Sequence, residues 1–340
     1  MVVRLGGCFA DGAILVTREK GATSGEPRFH NRSMSTPPDT ASPALPAGLT
    51  TRPLKKSESR ALFDLIAAQE QHDTGSVEIE EADLISDWAV PGYDLEASSI
   101  GVYDGELLVG YAEHMRGDRV DAAVRPGHRG RGIGTWLAAW LREHAASRGA
   151  TTIGMPVPVG SDGDRLLADL GYRVRWTSWM LALPEGKEIE HRELPEGYAV
   201  GQARPEDYVA LHAVLEDAFL EWSERDRETF EEFTAMVLRR PGFEPWNARI
   251  VTDPSGGVVA AAIVFLSETG TAYIARLGTR KDQRNQGLAQ ALLVDSFAAG
   301  REHGATVSEL NTDSRTGALG LYEKVGMVTT GVWVNRCVDL

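Results

Sequence analysis

The chain has 340 residues, a formal net charge of −14 at pH 7 and 42% hydrophobic residues. That length exceeds one ordinary domain and points to two, each large enough to bury a core of its own. The acidic balance excludes nucleic acid and anionic membranes as expected partners, because both require a clustered positive surface, and it is compatible with a cationic small molecule.

Only two cysteines occur, Cys8 and Cys337, and they make a poor pair for a disulfide framework. A reducing cytoplasm is therefore the expected location, and no metal site is expected from thiolates. No stretch approaches the roughly 18 apolar residues of a membrane span. The first residues lack a compact apolar segment followed by a small-residue cleavage site, so no signal peptide is expected.

Residues 1–48 are rich in Gly, Ser, Thr and Pro, a composition that buries too little apolar surface to offset its ordering entropy and predicts disorder. Met34 is an alternative translation start, which mass spectrometry of the native N-terminus would decide. A first domain is expected over 49–184. It opens with a short strand over 49–54 and a helix capped by Ser57, with Leu62, Leu65 and Ile66 at helical spacing, then an acidic helix over 80–88. Asp104-Gly105 between the apolar runs 99–103 and 107–112 predicts a hairpin. A strand over 120–124 runs into Arg129-Gly130-Arg131-Gly132-Ile133-Gly134 and a helix bearing Trp136, Leu137, Trp140 and Leu141. A strand over 151–156, a short helix over 164–170 and closing strands over 172–183 complete this half.

The charged, Pro/Gly-bounded segment 185–197 reads as a linker, and a second domain over 198–340 repeats the first. A strand over 198–203 is followed by helices over 204–219 and 225–240, strands over 249–252, 258–266 and 272–279, a helix over 287–303, a strand over 306–311, a helix over 316–325 and a last strand over 328–338. Arg129 and Arg284, Gly132 and Gly287, and Gly171 and Gly326 are each 155 residues apart. Arg52-Pro53 and Arg204-Pro205 are 152 apart; a constant offset across three of four landmarks identifies a tandem duplication, and the mixed order of helices and strands predicts an α/β (α+β) fold.

In both halves a strand ends, a basic segment follows, and Arg-x-x-Gly-x-Gly/Ala opens a helix: Arg129 to Gly134, and Arg284-Asn285-Gln286-Gly287-Leu288-Ala289. Small residues let backbone approach a ligand, and the free first-turn N–H groups with the helix dipole suit a diphosphate. A single copy reads equally as a tight surface turn. The spacing is neither the dinucleotide fingerprint nor a Walker loop.

This motif at a strand-to-helix junction, present twice, resembles the GNAT superfamily of acetyl-CoA-dependent acyltransferases, and the resemblance covers about 49–340. It implies two tandem GNAT domains, each a mostly antiparallel mixed sheet flanked by helices, a layout of which the mycothiol synthases are one kind. It further implies acetyl-CoA as co-substrate, its pantetheine arm against backbone of Leu277, Gly278 and Thr279 and its diphosphate cradled by Arg284 to Ala289. The first-half turn, Arg129, Gly130, Arg131, Gly132, Ile133 and Gly134, becomes a second candidate CoA site.

In that family a tyrosine four residues before a glycine protonates the leaving thiolate. Tyr322 with Gly326 matches, and Asn311 stands at the end of the preceding strand, where its amide could orient the cofactor or cap the helix. Alone, Tyr322 reads as a half-buried aromatic. The first half has Leu167 at the corresponding place and cannot donate a proton, so chemistry is expected only in the second half. No general base is identified: Thr271 to Thr279 carries no carboxylate, and Glu268, Glu221, Glu224, Asp226 and His212 each read more simply as surface or packed residues. The acidic run from Glu221 to Glu232, with Glu224/Glu228 and Glu228/Glu232 at i,i+4, favours a cationic amine acceptor if it lines the acceptor groove and carries no information if it is a solvated helix face. From another class, a non-catalytic CoA-binding sensor would keep both turns and need no Tyr322.

Overall fold

The computed structural model describes residues 43–340; the expected disorder of 1–48 and the alternative start at Met34 thus fall largely outside the described residues. The first half runs β1 (Thr50–Arg52), α1 (Ser59–Asp73), α2 (Glu81–Trp88), α3 (Leu95–Ser98), β2 (Ser99–Asp104), β3 (Leu107–His114), β4 (Val120–Val124), α4 (Ile133–Ser147), β5 (Thr152–Pro158), α5 (Asp162–Asp169) and β6 (Arg173–Ala182). The second runs β7 (Ala199–Gln202), α6 (Tyr208–Phe219), α7 (Phe230–Phe233) continued by a π turn at Thr234–Leu238, β8 (Ala248–Thr252), β9 (Val258–Leu266), β10 (Thr271–Thr279), α8 (Leu288–Glu302), β11 (Val307–Asp313), α9 (Leu319–Lys324) and β12 (Val328–Asp339). The mixed α/β architecture with two related halves is as the sequence implies.

The strands form two sheets, β1-β2-β3-β4 and β5-β12-β6-β11-β10-β9-β8-β7. Among the described strands β10 and β11 are the parallel pair and the other ladders are antiparallel. The two halves exchange their last strands. β6 continues the first half in sequence but pairs with β11, placing Met180 opposite Asn311. β12 ends the second half but pairs with β5, with Val334 opposite Val157. β6 and β12 then pair with each other along most of their length. Instead of the expected closing strands over 172–183, one strand leaves its own half, because pairing with β11 and β12 satisfies backbone groups on both of its edges.

Each face of the second-half sheet has its own core. Ile274, Leu277, Leu292, Leu293, Phe297 and Leu310 pack together on the α8 side, while Ala275, Ile263, Leu211, Leu215 and Phe233 pack beneath α6. α4 fills the same role in the first half through Ile133, Leu137 and Leu141.

Two local expectations are corrected. Ser57 lies inside a short 3-10 turn at Lys56–Glu58; the Glu58 carboxylate accepts from Lys55 N at 3.0 Å instead. The helix expected over 225–240 begins only at Phe230. Thr229 caps it, accepting from Glu232 N at 3.2 Å while Glu232 accepts from Thr229 N at 2.8 Å. Residues 225–229 are irregular, so Glu224 and Glu228 do not share a helix face, and Glu228 is buried while Glu224 is exposed.

Candidate active site

The site starts from an opening between two strands. β10 pairs with β11 only over Thr271 to Ile274, and a bulge between Ile274 and Arg276 then bends β10. Leu277, Gly278 and Thr279 stay bonded to β9, opposite Ala262, Ala261 and Ala260, so their other backbone edge has no strand partner. Across the opening, Asn311 is 5% exposed and its Oδ1 has no hydrogen-bond partner.

Beyond Thr279 the chain makes the basic turn. Asn285 and Gly287 adopt φ of 65° and 81°, and the first half repeats this at Gly130 and Gly132 with 72° and 88°. Asn285 is the one non-glycine residue with positive φ among the described residues. Asparagine tolerates this region best among side-chain-bearing residues, and the alternating conformation gathers backbone N–H groups into an anion-binding concavity. α8 then starts with Leu288 and Ala289 buried, while Gln286 donates to Gln283 Oε1 at 3.2 Å.

Arg284 donates to Thr279 O at 3.2 Å and forms a bidentate pair with Glu221 at 2.5 and 3.1 Å. Lys281 Nζ lies 3.6 Å from the same carboxylate. A cavity of about 270 Å³ lies along this turn, lined by Thr279, Arg284, Asn285, Gly287, Leu288 and Arg192 among others. Thr279 is 5% exposed and its Oγ1 has no partner.

Tyr322 on α9 is fully buried in the apolar cluster that holds Leu277, Ala289 and Leu310, and its hydroxyl has no partner. Burial pushes its pKa above the ordinary tyrosine value, so the hydroxyl stays protonated.

The first half presents the same turn over a different interior. A cavity of about 360 Å³ is walled by Val124, Leu137, Leu141, Met155 and Leu167, with Arg129 and Gly130 at its edge. Arg129 is engaged on two sides, bidentate to Asp73 at 2.8 and 3.0 Å and bonded to Asp162 at 3.1 Å. Arg131 reaches Asp104 at 3.3 Å. Gly134 packs closely, a Cβ there lying 2.7 Å from Leu166 Cδ2, the end of a half-buried side chain.

The candidate bases separate by environment. Glu221 is bound to the turn, Glu268 lies in an exposed hairpin turn, and Glu224 and Asp226 face solvent. His212 is buried on α6, with Nε2 3.6 Å from Glu228. Glu228, not singled out as a site residue from sequence, makes a buried bidentate pair with Arg276 of β10 at 2.6 and 3.0 Å. Burial alone would raise the Glu228 pKa, but Arg276 and His212 outweigh it and hold it at about 2. Glu216 accepts from Arg225 at 2.6 and 2.9 Å and from Glu228 N at 2.8 Å. His212, Glu216 and Glu228 have donor atoms within 4.8 Å of one another, a metal-like grouping whose carboxylates are already engaged by guanidinium groups. Arg276 in an otherwise apolar strand was the available signal, because a charge there requires a buried partner.

The model of the acetyltransferase (GNAT) family matches residues 61–168 and again 208–327. The chain is 30% identical over 255 residues to the mycothiol acetyltransferase of Salinispora arenicola, spanning 67% of this chain and 77% of that one. A similar match to the mycothiol acetyltransferase of Kineococcus radiotolerans is 30% identical and spans 76% and 86%. Among solved structures, a GCN5-related N-acetyltransferase from Sphaerobacter thermophilus superposes with a TM-score of 0.69 at 27% identity, covering 87% of this chain and 97% of that one. A tandem GNAT protein from the clavulanic acid biosynthesis pathway shares the fold, with a TM-score of 0.66 at 18% identity over 86% and 98%.

Proposed function

Because the chain belongs to the acetyltransferase (GNAT) family, we propose that it moves an acetyl group from acetyl-CoA to the primary amine of a small molecule, with the chemistry in the second half. The observation that carries this reading is the unequal duplication: both halves keep the turn, but only the second pairs it with a tyrosine, Tyr322, where the first has Leu167. A cytoplasmic location belongs to the same proposal and rests on the two cysteines being a poor disulfide pair; no helix among the described residues is long and apolar enough to cross a membrane.

The residues present fit acetyl-CoA. The edge of Leu277 to Thr279 has no strand partner, Thr279 O alone being held by Arg284, and suits the amides of a pantetheine arm; Thr279 Oγ1 and Asn311 Oδ1 are buried polar atoms awaiting partners. Arg284, Asn285, Gln286, Gly287, Leu288 and Ala289 would hold the diphosphate on backbone N–H groups and the α8 dipole. Bound there, the thioester supplies the activated acetyl group. Tyr322, kept neutral by burial, would donate its proton to the sulfur as the N–C bond forms and the C–S bond breaks, and the proton lost by the acceptor nitrogen would restore the phenol. The acceptor approaches from the α6 face, where Arg276 and Glu228 are fixed. Much of the acidic run is internally paired, Glu221 with Arg284, Glu228 with Arg276 and Glu232 with Arg116, so preference for a cationic amine rests on the exposed Glu224, Asp226 and Glu231.

The relatives' name makes a mycothiol-type acceptor the second reading. A panel of amines including that acceptor, with acetyl-CoA and release of free thiol as readout, separates the alternatives. Tyr322→Phe is expected to lower kcat by about 10²–10⁴, the usual contribution of a positioned acid, while Leu167→Ala leaves it nearly unchanged. Full turnover in Tyr322→Phe would remove the assignment. Tight acetyl-CoA binding without thiol release for any acceptor would indicate a non-catalytic CoA-binding protein.

A further inference from the structure

The segment 185–197 is attached to the second-half turn. Ile189 is 7% exposed within the α8 core, Leu194 packs against the same cluster, Gln290 of α8 donates to Glu190 O at 2.8 Å, and Tyr198 donates to Gln283 Oε1 at 2.7 Å. Between these anchors Arg192 lies over the start of α8. A Cβ on Gly287 would sit 2.7 Å from Arg192 Cδ and 2.9 Å from its Nε. Arg192 also lines the cavity into which the buried, partnerless Thr279 faces.

The charges around this arginine are uneven. Arg284 and Lys281 share Glu221, and Arg280 pairs with Asp282 at 2.7 Å. Arg192 has no carboxylate within ion-pair distance among the described residues, although Glu190 and Glu193 flank it in sequence. An unpaired guanidinium at the positive end of a 15-residue helix stands in an unfavourable field unless an anion lies between the two. A planar fork of N–H donors is suited to phosphate oxygens.

We infer that Arg192 is a cofactor-binding residue delivered by the segment between the halves, adding its guanidinium to the turn that would hold the diphosphate of the CoA thioester. This rests on the reading that acetyl-CoA binds the second-half turn. It gives the segment a part in binding beyond connection, and it sets the arginine against Gly287, whose φ of 81° is what requires glycine there.

The test is calorimetric titration of the full chain with acetyl-CoA at low and high salt, using wild type, Arg192→Ala, Arg192→Lys and Arg284→Ala. Arg192→Ala should bind about tenfold more weakly at low salt, as loss of a charge-assisted contact implies. It should show a smaller salt dependence than wild type, and without ligand keep or slightly exceed the wild-type Tm, because the side chain is exposed and lies at the positive end of α8. Arg192→Lys should fall between the two, retaining charge without the fork. If both halves bind, only one class of site should weaken. Binding of Arg192→Ala within about twofold of wild type, or weakened binding with an unchanged salt dependence, overturns the inference while leaving the second-half site standing. No binding by wild type overturns the site and the inference together.

Discussion

Glu228 shows how far a residue's role can depart from its local sequence. In the acidic run it resembles its neighbours, yet its carboxylate is buried against Arg276 and close to His212. A carboxylate held at about 2 in the folded state contributes stability that is fully present above its unfolded pKa, about 4.3, and is lost as pH falls towards 2. Glu228→Gln should therefore destabilise by about 3 kcal/mol near neutral pH, the scale for a buried guanidinium deprived of its partner. Urea unfolding at pH 7, 4 and 3 should show the difference narrowing across that window. A constant gap would mean that packing, not charge, makes Glu228 important. The turn residues were readable because they act locally: Gly132 and Gly287 carry a positive φ that glycine supplies at no steric cost. Arg192 was not readable, since nothing in a charged linker says which basic side chain returns to a helix 95 residues later.

Among the elements, helices and strands with clear periodicity were legible, while the region between α6 and α7 was not. There, hydrogen bonds donated to the Glu216 carboxylate and the Thr229 capping box outcompete a helix whose pattern of acids was periodic. α1 holds a second buried acid. Glu70 Oε2 accepts from Glu78 N at 2.7 Å and Ile79 N at 2.9 Å, tying the helix to the segment before α2. Burial raises its pKa to about 8, the backbone donors notwithstanding. The folded state therefore binds the proton more tightly than the unfolded chain, and stability falls as pH rises from about 4.3 towards 8. Glu70→Gln should raise Tm at pH 8 relative to wild type and change it little at pH 4, as thermal melts at the two pH values would show.

At the scale of the whole molecule the exchanged strands matter most. β6 covers the edge of β11 that holds Asn311, and β12 covers β5, so each half completes its sheet with backbone from the other. A fragment comprising 198–340 would expose the β11 edge and leave β12 without either neighbour, a state prone to aggregation. We expect that fragment to be insoluble or unfolded alone and to recover native circular dichroism and elution volume when refolded with 43–197. A monomeric, folded 198–340 would show that the exchange is dispensable. The first half thus contributes to the proposed active site whether or not its own cavity takes a ligand.

The sequence by itself determined the mixed α/β class and both Arg-x-x-Gly turns, which rest on short-range spacing and residue chemistry that a few neighbours dictate, and the duplication and the asymmetry between Tyr322 and Leu167, which rest on a constant 155-residue offset between such local motifs. Only the tertiary structure decided the strand exchange, the partner of Arg276 and the placement of Arg192 over Gly287. Those depend on backbone edges and charges brought together from distant parts of the chain, where the cost of an unpaired buried group, not local propensity, selects the arrangement.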